Sequence, residues 1–455
     1  MRHRLPSSIL REYDIRGTVG RTLGAPDAVA IGRAFGSIVR RGGGARVVVG
    51  RDGRLSSPML EAALVEGLVA AGIDVIRIGV GPSPMLYHAE RHLDVDGGIH
   101  VTGSHNPRDD NGFKMVLGHR PFFGSDITAL AALAEQGDVE SGTGRISEAD
   151  VLAEYVARLI AGDNLMPLRI GWDAGNGAAG PAVERLVQLL PGEHHLLFTQ
   201  VDGNFPNHHP DPTDETNLAD LKTLVTRNRL DFGVAFDGDG DRIGAVDGQG
   251  RVIAGDQLLA ILAEPVLRHR PGAAIVADVK ASATLFDRIT ELGGRPVMWK
   301  SGHSNIKTMM HEVGAPLAGE MSGHIFFGEL GGHDDALYAA VQLIRAIGYS
   351  GRSLAALRDA MPDVVATPEL RFPVDEARCE DVVQEVLDRL AAEGATVDRT
   401  DGARVTTDDG WWLLRASNTQ AMLTARAEAR DQAALDRLVA AIDAHLALSG
   451  VTRRG

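Results

Sequence analysis

The chain has 455 residues, too many for a single hydrophobic core, so several domains are expected. Its 44% hydrophobic and 24% charged residues are those of a globular protein in water, and a formal charge of -15 argues against nucleic acid or an anionic membrane surface as partner. A lone cysteine, Cys379, excludes an intramolecular disulfide and fits a reducing compartment. With no apolar run of about 18 residues and no apolar stretch behind the basic start, the cytoplasm is the expected location.

Residues 1–149 alternate strand and helix. Tyr13-Asp14-Ile15-Arg16-Gly17 is a polar-aromatic cluster whose arginine can reach a phosphate. Asp27 to Arg40 puts Ile31, Phe35 and Ile38 on one helical face. Arg46 to Gly50 reads as a strand, and Ser57 is expected to cap the next helix, with Pro58 at its first position and Gly72 past its end. Asp74 to Ile78 is a second strand, which makes a βαβ unit of parallel type. A Gly-Pro-Ser-Pro turn opens another helix, which leads to the apolar strand Gly98-Ile99-His100-Val101. Just past its carboxyl end, where open α/β sheets bind ligands, comes Thr102-Gly-Ser-His-Asn-Pro107, continuing to Lys114. A serine hydroxyl is inert at neutral pH unless a base, metal or charged shell activates it. Ser104 is therefore a candidate nucleophile whose shell must come from elsewhere in the chain.

A second α/β unit is expected over 150–253. Its first strand, Leu168 to Trp172, runs into Gly175-Asn-Gly-Ala-Ala-Gly180, which matches GxGxxG in form. No acidic residue ends a clear second strand about 20 residues on, so a glycine-rich turn is favoured over a dinucleotide site. Asn207-His-His-Pro-Asp-Pro212 has metal-binding content, but adjacent histidines rarely face one ion. After a helix marked by Leu218, Leu221 and Leu224, the strand Asp231 to Phe236 ends in Asp237-Gly-Asp-Gly-Asp-Arg242. Asp237, Asp239 and Asp241 would repel one another without a cation, and the intervening glycines let the backbone curl so that all three converge. Hard oxygen ligands favour Mg²⁺ or Ca²⁺ over zinc, and the open positions left by three carboxylates suit Mg²⁺ shared with a phosphate oxygen. No glutamate completes an EF-hand loop. Asp247-Gly-Gln-Gly250 closes a hairpin.

A third α/β unit spans 254–362. Its strands Ala274 to Asp278 and Pro296 to Trp299 each end near a lysine, Lys280 and Lys300, with small polar residues and His303 beside them, and one crevice is expected there. Only five of the 46 basic residues are lysine, so each is a candidate for a place that wants a compact point charge. In Gly319-Glu-Met-Ser-Gly-His324 the residues Glu320, Ser322 and His324 alternate, and in an extended loop they would share a face able to grip sugar hydroxyls. Residues 363–455 read as α+β: a strand from Glu369 to Val374, and a helix from Glu380 to Leu390 with Val383, Val386, Leu387 and Leu390 inward. Strands then lie about Thr407 to Gly410, and a last helix covers Ala433 to Leu446. The turn Arg415-Ala-Ser417-Asn418-Thr419 combines a bidentate cation with hydroxyl and amide donors, which suits a phosphate dianion.

A serine, a tri-aspartate cation site, a hydroxyl-gripping loop and a phosphate-gripping loop, one from each unit, imply phosphoryl transfer through a phosphoserine in an interdomain cleft. No GxxxxGK[ST] run is present, which argues against ATP on a P-loop as donor. The four motifs, in order and across essentially the whole chain, resemble the α-D-phosphohexomutase family, within it the bacterial phosphomannomutase/phosphoglucomutase group. The resemblance implies a heart-shaped fold of three related α/β domains with mixed sheets and a smaller C-terminal α+β domain. It implies reversible transfer of phosphate between positions 1 and 6 of mannose phosphate, and of glucose phosphate, through phosphorylated Ser104 and a hexose 1,6-bisphosphate.

By the same resemblance, Ser104, Asp237, Asp239 and Asp241 hold Mg²⁺, Glu320 and Ser322 hold sugar hydroxyls, and Arg415, Ser417, Asn418 and Thr419 hold the non-reacting phosphate. Arg16, His105, Lys114 and His324 serve proton transfer or charge stabilisation. Tyr13, Arg242, Lys280 and His303 line the substrate cleft. Partners are small hexose phosphates, and the chain is expected to be a monomer or small homo-oligomer. Met321 looks like the mannose/glucose group; phosphoglucosamine mutase and dedicated phosphoglucomutase are the alternatives within the family, and a sugar-phosphate phosphatase is the alternative outside it.

Overall fold

Three mixed sheets and one antiparallel sheet follow one another along the chain in a computed structural model that describes residues 2–417 and 422–453. The three mixed sheets share one plan. In the first, Arg46–Arg51 lies between parallel neighbours Asp74–Val80 and Gly97–Val101, and the latter turns back as antiparallel Asp110–Leu117. The second places Leu168–Asp173 between Gly192–Leu197 and Phe232–Phe236, which turns back as Ile243–Asp247. The third places Ala274–Asp278 between Arg295–Trp299 and Leu317–Gly319, which turns back as Ile325–Phe327. In every unit the strand that reverses direction delivers a motif: residues 102–109, 237–242 and 320–324 are the equivalent reversals.

These strands read as continuous apolar runs because helices cover both faces. All residues of Gly97–Val101, Phe232–Phe236 and Ala274–Asp278 are buried. One hydrophobic cluster runs across the first three units, from Leu86 through Trp172 and Phe236 to Ile275 and the buried helix Ala336–Ser350. The fourth unit has its own core, with Phe372, Val386, Trp412 and Leu438, under an all-antiparallel sheet. Its apolar contact with the third is a small cluster about Val279, Trp411 and Leu413, reinforced by Arg404, which stacks 3.7 Å over the Trp411 ring and donates to the carbonyls of Val279 and Ala281.

Two sequence expectations are corrected here. Ser57 is not a cap: Ser56 holds that position, and the helix Ser57–Ala70 begins with Ser57, whose buried hydroxyl donates to Asp52 at 2.5 Å. The Glu320–His324 segment is not extended: Glu320 N–H donates to the His324 carbonyl at 2.9 Å, so the residues form a tight hairpin turn. No helix among the described residues is long and apolar enough to cross a membrane.

Helices Ala25–Arg41 and Ser57–Ala70 cross at two glycines. A Cβ on Gly67 would lie 2.2 Å from the Val29 carbonyl oxygen, and one on Gly32 the same distance from that of Leu64. Gly67→Ala is expected to destabilise the first unit by about 1–3 kcal/mol through overpacking, read as a lower urea midpoint for its unfolding.

Candidate active site

Ser104 is 2% exposed and adopts φ of 49°, a left-handed conformation unusual for a side-chain-bearing residue. Its Oγ donates to Asp237 Oδ2 at 2.7 Å and lies 3.1 Å from His105 Nδ1. The loop of the second unit reaches it only because Gly238 has no side chain: a Cβ there would sit 2.3 Å from the Ser104 carbonyl oxygen. The Gly175–Gly180 run supports the same loop from behind, since Ala178 N–H donates to the Gly238 carbonyl at 2.9 Å. That is the structural turn expected of the run. His208 is spent on Asp173 and His209 on the His105 carbonyl, so the two adjacent histidines diverge.

The three aspartates converge as the alternating glycines suggested, with one oxygen of each within 4.8 Å of the others. Asp237 Oδ1 accepts from the backbone N–H groups of Asp241 and Arg242. Asp239 Oδ2 accepts from Ser83 at 2.6 Å, Thr102 at 3.0 Å and Lys114 at 2.7 Å, and Lys114 also donates to Asp241. Burial, and after it the neighbouring Asp239 and Asp241, pushes the Asp237 carboxyl well above the usual carboxylate range. Burial, the largest single influence, acts on Asp239 in the same sense, but the charge and hydrogen bond of Lys114, with the Ser83 hydroxyl and His100, together hold that group well below the range. Oδ1 of Asp239 and Oδ1 of Asp241 are buried without a hydrogen-bond partner. Unpartnered hard anionic oxygens beside a serine hydroxyl fit a divalent hard cation, Mg²⁺ above all.

Above this floor opens a cleft of about 1030 Å³ between the units. Of the sequence-selected residues, Tyr13, His105, Arg242, Lys280, His303, Glu320, Ser322, His324, Arg415 and Ser417 line it, together with Met321. Ser104, Arg16, Lys114 and the aspartates lie beneath it. Arg16 is fixed by Asn106 at 2.7 Å and Asp14 at 2.5 Å. His324 Nδ1 lies 2.8 Å from Asp334, and its Nε2 accepts from Arg242 Nε at 2.9 Å, so the ring is gripped on both nitrogens. Glu320 accepts from Gly302 N–H at 2.6 Å, and burial raises its carboxyl while His324 opposes the shift. Burial also pushes the His105 and His303 imidazoles down, so both are neutral; Tyr13 tilts against the latter at 5.6 Å between ring centres. Arg415 Nε donates to Asp401 at 2.9 Å, and Lys280 lies 3.6 Å from Glu369.

The single crevice expected for two lysines is half right: Lys300 is exposed and outside the cleft lining. Asn418 and Thr419 lie outside the described residues. Sequence reasoning missed Thr102 and Ser83, which orient Asp239, and Asp334, which faces both His324 and Lys307. It also missed Arg371 and Arg426 on the cleft wall of the fourth unit and the acidic lip of Asp211, Asp214 and Glu215. Thr102 was detectable, because it shares the serine's motif. Ser83 and Asp211 stood in stretches noted for other reasons, the Gly-Pro-Ser-Pro turn and the Asn207 to Pro212 run, and the rest stand in no recognisable pattern.

Four family models match the chain in order: phosphoglucomutase/phosphomannomutase alpha/beta/alpha domain I over residues 7–139, domain II over 153–250, domain III over 254–364, and the C-terminal domain over 369–445. A phosphomannomutase/phosphoglucomutase of Pseudomonas aeruginosa is 44% identical over 438 residues, which cover 95% of this chain and 94% of that protein. A phosphoglucomutase of Neisseria gonorrhoeae is 42% identical over 436 residues, 94% of this chain and 95% of that one. The crystal structure of a phosphoglucomutase/phosphomannomutase family protein from Burkholderia thailandensis matches with a TM-score of 0.93 at 43% identity, covering 98% of each chain. The serine loop, the aspartate loop, the hairpin turn at Glu320 and the arginine strand thus fall in four successive matched domains, and the chain belongs to the phosphoglucomutase/phosphomannomutase family.

Proposed function

We propose that this enzyme moves phosphate reversibly between positions 1 and 6 of hexose phosphates, mannose and glucose phosphates first, with Ser104 as the carrier. The observation that carries the reading is the convergence of Ser104 and the three aspartates under a cleft whose far wall holds Arg415. In the first half, a sugar hydroxyl oxygen bonds to the phosphorus and loses its proton, while the bond from phosphorus to Ser104 Oγ breaks and that oxygen regains one. The resulting hexose 1,6-bisphosphate turns over in the cleft, and the second half runs backwards with its other phosphate. Free hexose 1,6-bisphosphate would reload a dephosphorylated Ser104.

Asp237, Asp239 and Asp241, with Ser104, would hold Mg²⁺, which when bound stabilises charge on the phosphoryl oxygens. Lys114, clamped between Asp239 and Asp241, adds a fixed positive charge beside them, and Arg16 adds another. His105, neutral and 3.1 Å from Oγ, is the group placed for proton exchange, while His324, held on both nitrogens by Asp334 and Arg242, serves charge stabilisation. Glu320 and Ser322 would grip the sugar hydroxyls, with Tyr13, Arg242, Lys280 and His303 lining the cleft about them. Arg415 and Ser417, joined by Asn418 and Thr419, would hold the distal phosphate. Preference for mannose and glucose is supported by the names of the relatives from Pseudomonas aeruginosa and Neisseria gonorrhoeae and by Met321 in the sugar-facing turn. The cavity, sized for a small molecule, supports hexose phosphates as the partners.

Isomer formed from mannose 1-phosphate, against inorganic phosphate released, separates this reading from a phosphatase: isomer with little free phosphate is expected, and stoichiometric phosphate without isomer would refute it. Asp239→Ala is expected to lower Mg²⁺-dependent turnover by about 100-fold or more, checked by a metal titration of the initial rate. Arg415→Ala should cost about 1.5–3 kcal/mol of phosphate binding, a rise in KM of roughly 10- to 150-fold with kcat little changed; steady-state kinetics from both isomers give the split.

A further inference from the structure

Ser104 is held in a left-handed turn, φ 49°, and nothing in its own side chain explains that conformation. The explanation lies in a residue outside the four motifs. Arg54 is 1% exposed, and its guanidinium sits inside the serine loop. Nη1 donates to the carbonyls of Pro107 at 2.6 Å and Asp110 at 2.9 Å, and Nη2 to those of Ser104 and Asn106, each at 2.6 Å. Nε lies 3.3 Å from Asp52. One planar cation thus gathers four carbonyls of the loop that carries the nucleophile. Its partner closes the ring from the other side: Asp52 Oδ2 accepts the Gly103 N–H at 3.0 Å, and Oδ1 accepts the Arg54 N–H at 2.9 Å. Gly103 leaves just enough room, since a Cβ on it would stand 2.4 Å from Arg54 Nε.

The clamp also touches the unit that carries the aspartates. The Phe205 ring lies 5.4 Å from the guanidinium carbon, and a Cβ on Gly203 would come within 2.8 Å of the Arg54 Cα. Arg54 therefore registers the serine loop against the second unit, the same pair of bodies that must bring Oγ within reach of Asp237. Turning the carbonyls of 104, 106, 107 and 110 toward one point fixes the backbone on the carboxyl side of Ser104, while Asp52 on the Gly103 N–H and Thr102 Oγ1 on the Ser104 N–H, at 2.8 Å, hold the amino side. From that turn Oγ reaches Asp237 in the aspartate loop.

We infer that Arg54, clamped by Asp52, is a positioning residue for phosphoryl transfer: it holds the Ser104 turn so that Oγ faces the aspartate loop, and it touches no substrate. The inference rests on Ser104 being the phosphate carrier. Lysine is not an equivalent. Its ammonium offers three donors from one point and cannot span four carbonyls, although it keeps the charge.

The test is single-turnover transfer from enzyme whose Ser104 has been loaded from ³²P-labelled glucose 1,6-bisphosphate and freed of sugar, mixed with unlabelled mannose 1-phosphate and followed by the label remaining on the protein, which unlabelled phosphate returning to Ser104 does not restore. In Arg54→Lys the loss of phosphate from Ser104 is expected to slow by about 100-fold. The dissociation constant for mannose 1-phosphate should stay within about threefold of wild type, since the cleft walls are untouched. Asp52→Asn keeps the guanidinium and the side-chain shape while loosening the clamp, and should slow the same step to a smaller extent; it decides the matter if the lysine variant does not fold. A clamp that serves stability alone would lower the urea midpoint and leave the transfer rate at the wild-type value in a folded variant, and that result overturns the inference. So does a parallel loss of binding and transfer. Wild-type enzyme that gains no phosphate on Ser104 would instead overturn the functional reading beneath it.

Discussion

Three carboxylates packed inside a protein are unstable company. Each loses its hydration, each repels the others, and in the low-dielectric interior both terms grow. The chain lowers the cost with backbone amides around Asp237, hydroxyls on Asp239 and, above all, the buried ammonium of Lys114 between Asp239 and Asp241. Lys114 belongs to a different sheet from the aspartates, so the electrostatic balance exists only when the first two units are docked. The polar heart of the molecule is thus a docking device, and the continuous apolar cluster about it supplies the adhesion that the charges alone would not give.

That arrangement has a clear division of labour. Groups that manage charge lie under the floor, short of water, where each interaction is strong and its geometry fixed. Groups proposed to face the sugar line a cleft of about 1030 Å³, of the size of a small-molecule site. The fourth unit, with its separate core and narrow apolar contact, brings Arg415 to the far wall.

Much of this was legible before any coordinates. Residues that must be small, acidic or hydroxylated in fixed succession leave a local pattern, and Ser104, the Asp237–Arg242 loop, the Glu320 turn and Arg415 were found that way. The strands were legible because parallel strands covered on both faces are uninterrupted apolar runs. What stayed hidden was long-range. Asp334 and Lys307 are distant in sequence from the aspartate loop, and Arg54 matters through carbonyl groups, which have no side-chain signature. Ser57 misled because a serine ahead of Pro58 looks like a cap, when its oxygen accepts from Asn111 and its proton goes to the buried Asp52 carboxylate. The alternation of Glu320, Ser322 and His324 suggested an extended face, but a hydrogen bond across the segment folds it into a turn that still presents all three to the cleft.

The repeated reversal of the third parallel strand has one more implication. In each of the three units the chain leaves the sheet, makes its turn and re-enters beside the strand it left, so the sheet pairing closes on either side of the turn. The scaffold therefore asks little of the residues at the tips, which are selected by what they meet across the cleft. Three tips of like geometry can therefore carry a serine, three aspartates and a glutamate in turn while the sheets beneath them stay alike.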